Sequence, residues 1–285
     1  MAVKAVFFDI DGTLLTDNRT VSKSTIQAIN ALKKNGIFVG LATGRDPNFV
    51  LKYMAGLSLD LAITYNGQYI FSRDQVHFAQ ALDRGILEIF LDLVESNQWD
   101  YSLGLGTGVV GSGIMNVGTG HLVYRLTRMI PSAWAGGINF LINRLVRKFR
   151  PKDTDKIRSY LDQPVYQVLL LATESVTQRL ALQFPTLGFT RSSAYAADVI
   201  SKGNSKLQGI QKLGEIYGFD MEEVMVFGDS NNDLEMLAGV QYAIAMGNAT
   251  QQAKGTATYV TDTNNKDGIY KALVHFGLVE EKNVD

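Results

Sequence analysis

Val3-Lys-Ala-Val-Phe-Phe-Asp9-Ile-Asp11-Gly12-Thr13-Leu14 is the stretch on which the reading of this chain turns. A short apolar run ending abruptly in acid is the pattern of a strand buried on both faces of a parallel sheet. In open α/β sheets the chemistry gathers at the C-terminal ends of the strands. The two acids therefore fall where a ligand would be met. Downstream, Ser22 or Ser24 can cap a helix whose Ile26, Ile29 and Leu32 share a face, and Gly36 supplies a left-handed stop. Ile37–Ala42 and Leu61–Tyr65 read as further strands, and Asn66-Gly67 is a hairpin signal leading into Gln68–Phe71.

The alternation of strand and helix resumes late in the chain. Lys206–Tyr217 has helical spacing and stops at Gly218; a strand (Val224–Phe227), a short helix (Asn231–Ala238) and another strand (Tyr242–Met246) follow. Both ends of the chain thus predict one α/β domain with a doubly wound parallel sheet. The middle reads differently. It offers a helix (Arg84–Ser96), a Gly-rich segment (104–120), a longer helical stretch, a strand (Val165–Leu171) and a helix (Glu174–Gln183). The expected organisation is a core from 1–82 and 189–285, with an α+β domain, 83–188, inserted into it.

Composition narrows the chemistry. The 285 residues carry 27 Lys+Arg against 28 Asp+Glu, and this balance lacks the basic surplus that marks a nucleic-acid binder. Cysteine is absent, which excludes thiol nucleophiles, zinc–thiolate sites and disulfides. The three histidines (His77, His121, His275) lie far apart, so a His-rich metal site is not expected. No apolar leader or membrane-length apolar run is seen, so a cytoplasmic protein without stable membrane insertion, monomeric or homodimeric, is expected.

Three predicted strand ends carry the polar residues: Asp9-Ile-Asp11-Gly12-Thr13, Thr43-Gly44-Arg45 and Gly228-Asp229-Ser-Asn-Asn232-Asp233. Carboxylates gathered at one edge repel one another unless a cation joins them. Oxygen ligands without His or Cys favour a hard ion, Mg²⁺ above all, and magnesium characteristically takes a substrate phosphate oxygen as well.

These residues resemble, in order, the motifs of the haloacid dehalogenase-like (HAD) hydrolases: Asp9-x-Asp11-Gly12-Thr13-Leu14, Thr43-Gly44-Arg45, Lys206, and Gly228-Asp229-x-x-Asn232-Asp233. Ile63-Thr-Tyr-Asn66-Gly67, Ser205-Lys206, Met246-Gly-Asn248-Ala249 and Lys266-Asp267-Gly268 resemble the Cof-type phosphatases, which carry a large type IIB cap between the second and third motifs. The resemblance covers both halves of the core; the middle matches only in position and length. Leu207 stands where the family commonly has glycine.

What the resemblance implies is a Mg²⁺-dependent phosphatase of small phosphorylated metabolites. Asp9 would be the nucleophile, forming an aspartyl-phosphate. Asp11 would protonate the leaving oxygen and then deprotonate water, for which its neighbours must raise its pKa. Asp9, the Asp11 backbone carbonyl and Asp229 would hold the metal. Thr43, Gly44, Lys206 and Asn232 would bind the phosphoryl group. Asp233 would orient Lys206 or a metal-bound water, or join the ligand set. Sugar phosphates lead as substrates, ahead of pyridoxal phosphate and flavin mononucleotide. A phosphomutase or a non-catalytic phosphate-binding protein is the alternative. Between His121 and Lys152 seven basic residues and no acid alternate with apolar ones, the pattern of an amphipathic cap helix with a solvated basic face, of a basic rim that draws in an anionic substrate, or of a membrane- or partner-binding face.

Overall fold

The computed structural model of the protein describes residues 3–111, 154–191 and 196–281. The basic stretch 121–152, with His121 and Trp134, lies outside them. The described residues form two compact units. The first takes residues up to Arg45, Phe49–Phe78 and the chain from Ser205; the second takes Asp46–Asn48 and the residues between Ala79 and Asn204.

The first unit opens with β1 (Ala5–Phe8), α1 (Lys23–Lys34), β2 (Phe38–Ala42), α2 (Pro47–Leu57), β3 (Leu61–Thr64), β4 (Tyr69–Ser72) and β5 (Val76–Ala79). Ser22, not Ser24, caps α1 by accepting from the Thr25 N–H, an arrangement worth about 1 kcal/mol. After the second unit the chain returns through α6 (Lys206–Tyr217), β11 (Val224–Gly228), α7 (Leu234–Ala238), β12 (Tyr242–Ala245), α8 (Gln251–Thr256), β13 (Tyr259–Val260) and α9 (Gly268–His275).

Among the described residues the sheet has eight strands in the order β13-β12-β11-β1-β2-β3-β4-β5. The pairings from β13 through β3 are parallel, and β3 with β4 is antiparallel. Alternate side chains of each strand feed two cores. Val6, Phe8, Val39, Leu41 and Phe227 pack with α1 and α9 residues such as Ile29, Leu32 and Leu273. Ala5, Phe7, Ile63, Val224 and Val226 pack with α6 and α7 residues such as Ile210, Leu213 and Leu237. Burial on both faces explains why the strands read as unbroken apolar runs.

The second unit contains α3 (Arg84–Ser96), β6 (Tyr101–Leu105), β7 (Gly108–Gly111), α4 (Thr154–Arg158), β8 (Val165–Leu170), α5 (Glu174–Gln183), β9 (Leu187–Thr190) and β10 (Ala197–Ser201). Its sheet runs β7-β6-β8-β10-β9 with every pairing antiparallel. It continues past the residue-188 boundary expected from sequence, because β10 hydrogen-bonds to both β8 and β9 and holds the chain there until Asn204. A core of Phe90, Leu91, Val94, Leu103, Val168 and Leu180 lies between the sheet and its helices, with Trp99 packed against it. No helix among the described residues is long and apolar enough to cross a membrane.

Candidate active site

The ends of β1 and β11 lie side by side in register, Phe8 beside Phe227, so the residues that follow each strand meet. Asp9 and Asp229 are both buried there. The Asp9 N–H donates to the Phe227 carbonyl at 2.9 Å, extending the ladder by one bond and holding Asp9 at the edge. Gly12 has φ +87°, and a Cβ on it would come within 2.3 Å of Asp229 Oδ2. Only glycine lets this loop close on that carboxylate. Thr13 Oγ1 donates to Asp229 Oδ1 at 3.4 Å. Two asparagines brace the same loop. Asn248 donates through Nδ2 to the Gly12 carbonyl at 2.7 Å, and Asn264 through Nδ2 to the Leu15 carbonyl at 2.8 Å.

Lys206 enters as the first residue of α6, whose N-cap Ser205 accepts from the Gln208 N–H. Gly67 lies against that helix start; a Cβ there would stand 2.2 Å from the Ser205 carbonyl oxygen. Lys206 is 1% exposed, and its Nζ donates to Asp9 Oδ1 and to Asp233 Oδ1, both at 2.6 Å. Burial alone would lower the Lys206 pKa, but the pull of Asp233 and Asp9 outweighs it and holds the ammonium firmly protonated. Asp233 spends its other oxygen on the backbone, accepting at 2.9 Å from the N–H groups of both Asp229 and Ser230. It therefore orients Lys206 and the Asp229 loop at once, with few lone pairs left for a metal.

Asp9, Asp229 and Asp233 each offer an oxygen within 4.8 Å of the others. Three buried carboxylates gather where one lysine is bonded to two of them, and the imbalance shows in Asp9. Burial is the largest cause, the Lys206 charge opposes it, and Asp233 adds to it; together they push the Asp9 carboxyl up to about 7. An all-oxygen, acid-rich, buried set of this kind fits a hard divalent cation, whose charge would return Asp9 to its ionised form.

Asp11 belongs to a different cluster. Arg45 grips its carboxylate with both prongs, Nε to Oδ2 at 2.6 Å and Nη2 to Oδ1 at 2.9 Å, and Arg19 Nη1 stands 3.7 Å from Oδ1. The Arg45 guanidinium lies over the Phe49 ring, 4.8 Å from its centroid. Burial pushes the Asp11 carboxyl up, but Arg45 and then Arg19 overcome it, and the net shift is downward. This corrects the expectation of a raised Asp11. Its carboxylate also lies outside the acid cluster, so any share in holding a metal falls to its backbone carbonyl.

Thr43 is buried at the end of β2, where its Oγ1 accepts from the Arg45 N–H at 3.2 Å and fixes the turn through Gly44. Asn232 takes the Ser230 hydroxyl on Oδ1 at 2.7 Å and offers Nδ2 to Asn66 Oδ1 at 3.5 Å. The Asn66-Gly67 signal predicts a two-residue hairpin turn. The connection is instead four residues, with Thr64 paired to Tyr69 and with Tyr65, Asn66 and Gly67 all at positive φ. Arg19, Asn248 and Asn264 were also not assigned roles. Arg19 carries no local signal; Asn248 was visible only as part of a motif.

The haloacid dehalogenase-like hydrolase profile matches residues 6–273. A 5-amino-6-(5-phospho-D-ribitylamino)uracil phosphatase of Bacillus subtilis, YcsE, is 30% identical over 277 residues, covering 97% of this chain and 96% of its own. Among solved structures, the phosphatase BT1666 from Bacteroides thetaiotaomicron aligns with a TM-score of 0.79 at 26% identity, covering 97% of this chain and 96% of its own. The HAD subclass IIB sugar phosphatase BT4131 aligns at 0.76 and 27% identity, covering 97% and 100%.

Proposed function

This chain belongs to the haloacid dehalogenase-like hydrolase family and is a phosphatase, and we propose that it acts on small phosphorylated metabolites, with Asp9 as its nucleophile and Mg²⁺ as its metal. The observation that carries this reading is the buried grouping of Asp9, Asp229 and Asp233, with Lys206 bonded to Asp9 and Asp233. A bound divalent cation would supply charge neutralisation between the anionic nucleophile and a phosphate dianion. Asp9 and Asp229 would hold it, with the Asp11 backbone carbonyl.

The protein's own groups then divide the work. Asp9 Oδ attacks phosphorus in line, the ester oxygen leaves, and an aspartyl-phosphate forms on Asp9. Lys206, fixed by Asp233, places a permanent positive charge beside the reacting carboxylate and neutralises charge gathering on the phosphoryl oxygens. Thr43, Gly44 and Asn232 contact those oxygens. Asp11 gives its proton to the leaving oxygen and takes one from the water that splits the acyl-phosphate. Held by Arg45, Asp11 is a carboxylate, the form needed for the second of those steps. For the first it must pick up a proton, which requires the Arg45 fork to loosen.

The substrate class favoured is a phosphate ester of a sugar or sugar-like polyol. The subclass IIB sugar phosphatase and the ribitylaminouracil phosphatase support it. Pyridoxal phosphate and flavin mononucleotide come next.

The test is inorganic phosphate release from a panel of sugar phosphates, polyol phosphates, pyridoxal phosphate, flavin mononucleotide and nucleotides. It is run in Mg²⁺, in excess chelator, and with Asp9→Asn. Release is expected in Mg²⁺, with loss in chelator and a fall of roughly 10⁴-fold or more in the variant. Turnover that survives either treatment overturns the assignment. Formation of an isomeric phosphate ester without phosphate release would make the enzyme a phosphomutase.

A further inference from the structure

The turn between β3 and β4 is unusual in the described chain. Tyr65, Asn66 and Gly67 occupy the left-handed region in succession, with φ of +49°, +52° and +99°. All three are buried, and Tyr65 is fully so. A non-glycine residue at positive φ costs on the order of 1 kcal/mol or more, and such residues persist where the surroundings over-determine them, commonly at functional sites. Here the surroundings are the phosphoryl-binding segments themselves. The Asn66 N–H donates to the Thr43 carbonyl at 3.0 Å and the Tyr65 N–H to the Arg45 carbonyl at 3.2 Å. Gly67 lies against the Ser205 carbonyl at the start of the Lys206 helix. Asn66 Oδ1 takes Asn232 Nδ2 at 3.5 Å. One turn therefore touches three of the four segments that build the site.

We propose that Asn66 is a positioning residue for phosphoryl binding, setting through its side-chain oxygen which way the Asn232 carboxamide faces. Asn232 has two ends to satisfy. The Ser230 hydroxyl occupies its oxygen at 2.7 Å. Asn66 takes one of its two amide hydrogens and leaves the other for a phosphoryl oxygen. A flipped Asn232 would turn its carbonyl oxygen toward an anion, exchanging an attractive contact for a repulsive one. The proposal rests on the phosphatase reading above.

A double-mutant cycle tests it, using Asn66→Gly, Asn232→Ala and the pair. Glycine adopts φ +52° without strain, and that relief offsets the greater freedom glycine gives the unfolded chain, so Asn66→Gly removes the carboxamide with a fall in melting temperature of no more than a few degrees. The expected loss in kcat/KM for Asn66→Gly is roughly threefold to tenfold, the worth of one part-buried hydrogen bond. In the Asn232→Ala background the same change is expected to cost less than about twofold, because the group it acts through is gone. Equal losses in both backgrounds, or no loss in the parent, would overturn the proposal. The same cycle read as thermal stabilisation by orthovanadate in Mg²⁺ needs no turnover. Absent phosphate release with normal coupling in that assay would sink the phosphatase reading alone. A parent protein that neither turns over nor is stabilised by orthovanadate would sink both.

Discussion

Around Asp9 one cation is shared among carboxylates, whereas around Asp11 one carboxylate is shared between cations. Lys206 bridges Asp9 and Asp233 in a setting from which water is excluded, with side-chain exposures of 1%, 6% and 0%. Arg45 and Arg19 hold Asp11 in a half-open setting, with side-chain exposures of 24%, 15% and 25%. The two acids are separated by a single residue, yet Asp9 is pushed up to about 7 and Asp11 is driven down. What differs is the sign of the local charge balance. The acid-rich side is left short of positive charge, which is what a metal would supply. The arginine-rich side is already balanced and holds Asp11, the acid–base group of the proposed reaction, in its charged form. Groups whose environments push their pKa values apart are the mark of divided acid–base roles.

The comparison breaks most severely if Asp233 is neutralised. Asp233→Asn removes the negative charge beside Lys206 and leaves one acceptor oxygen in place of two, so an amide NH2 must face either the Lys206 ammonium or the Asp229 and Ser230 N–H groups. Unfolding in denaturant should show a loss of about 3 kcal/mol, the range for breaking a buried ion pair, and turnover should fall roughly 10²-fold. A loss below about 1 kcal/mol would mean that the cluster is held together by something else.

A gentler test uses pH. The folded Asp9 binds its proton more tightly than the unfolded one, so its contribution to stability is present below the ordinary value of 3.8 and disappears as pH rises toward about 7. The metal-free protein should therefore lose melting temperature across that interval relative to Asp9→Asn. Mg²⁺ should flatten the difference, since it binds the ionised form. Parallel curves for the two proteins in chelator would contradict the crowding of negative charge around Asp9.

The smallest expected effect lies on the other side of the comparison. Arg45→Gln removes the guanidinium fork, and burial then pushes the Asp11 carboxyl upward with less opposition. The ionisation that governs leaving-group protonation should move up the pH scale, while kcat changes by less than about tenfold. A pH–rate profile that does not move would disconnect Asp11 from proton transfer.

Much of the site was legible in the sequence. Asp9 and Asp229 could be found because each stands at a predictable strand end, whereas Lys206, at a helix start, was singled out only by the family resemblance. Local patterning marks such boundaries well, since burial on both faces writes an apolar run and a cap or glycine punctuates it. Arg45 was also visible, beside Thr43 and Gly44, but its bond to Asp11 was not. The reversal of the Asp11 shift follows from that missed contact. Asn66 was legible as a turn residue and illegible as a partner of Asn232, because the turn signal says only that the backbone bends. The span of the second unit was read short for a similar reason. Ala197–Ser201 has the apolar alternation of a strand, but nothing local reveals which sheet it joins.

By itself, then, the sequence determined the order of strands and helices, the parallel character of the core sheet and the residue types delivered to its edge. All of these are written by neighbours a few positions apart, through periodicity, burial and capping. Only the tertiary structure decided which charge meets which. Lys206 reaches Asp9 across 197 positions, Asp11 meets Arg45 across 34 and Asn66 meets Asn232 across 166. Coulombic and hydrogen-bonding energies depend on separations of a few ångströms in space and on exposure to water, and neither quantity is carried by distance along the chain.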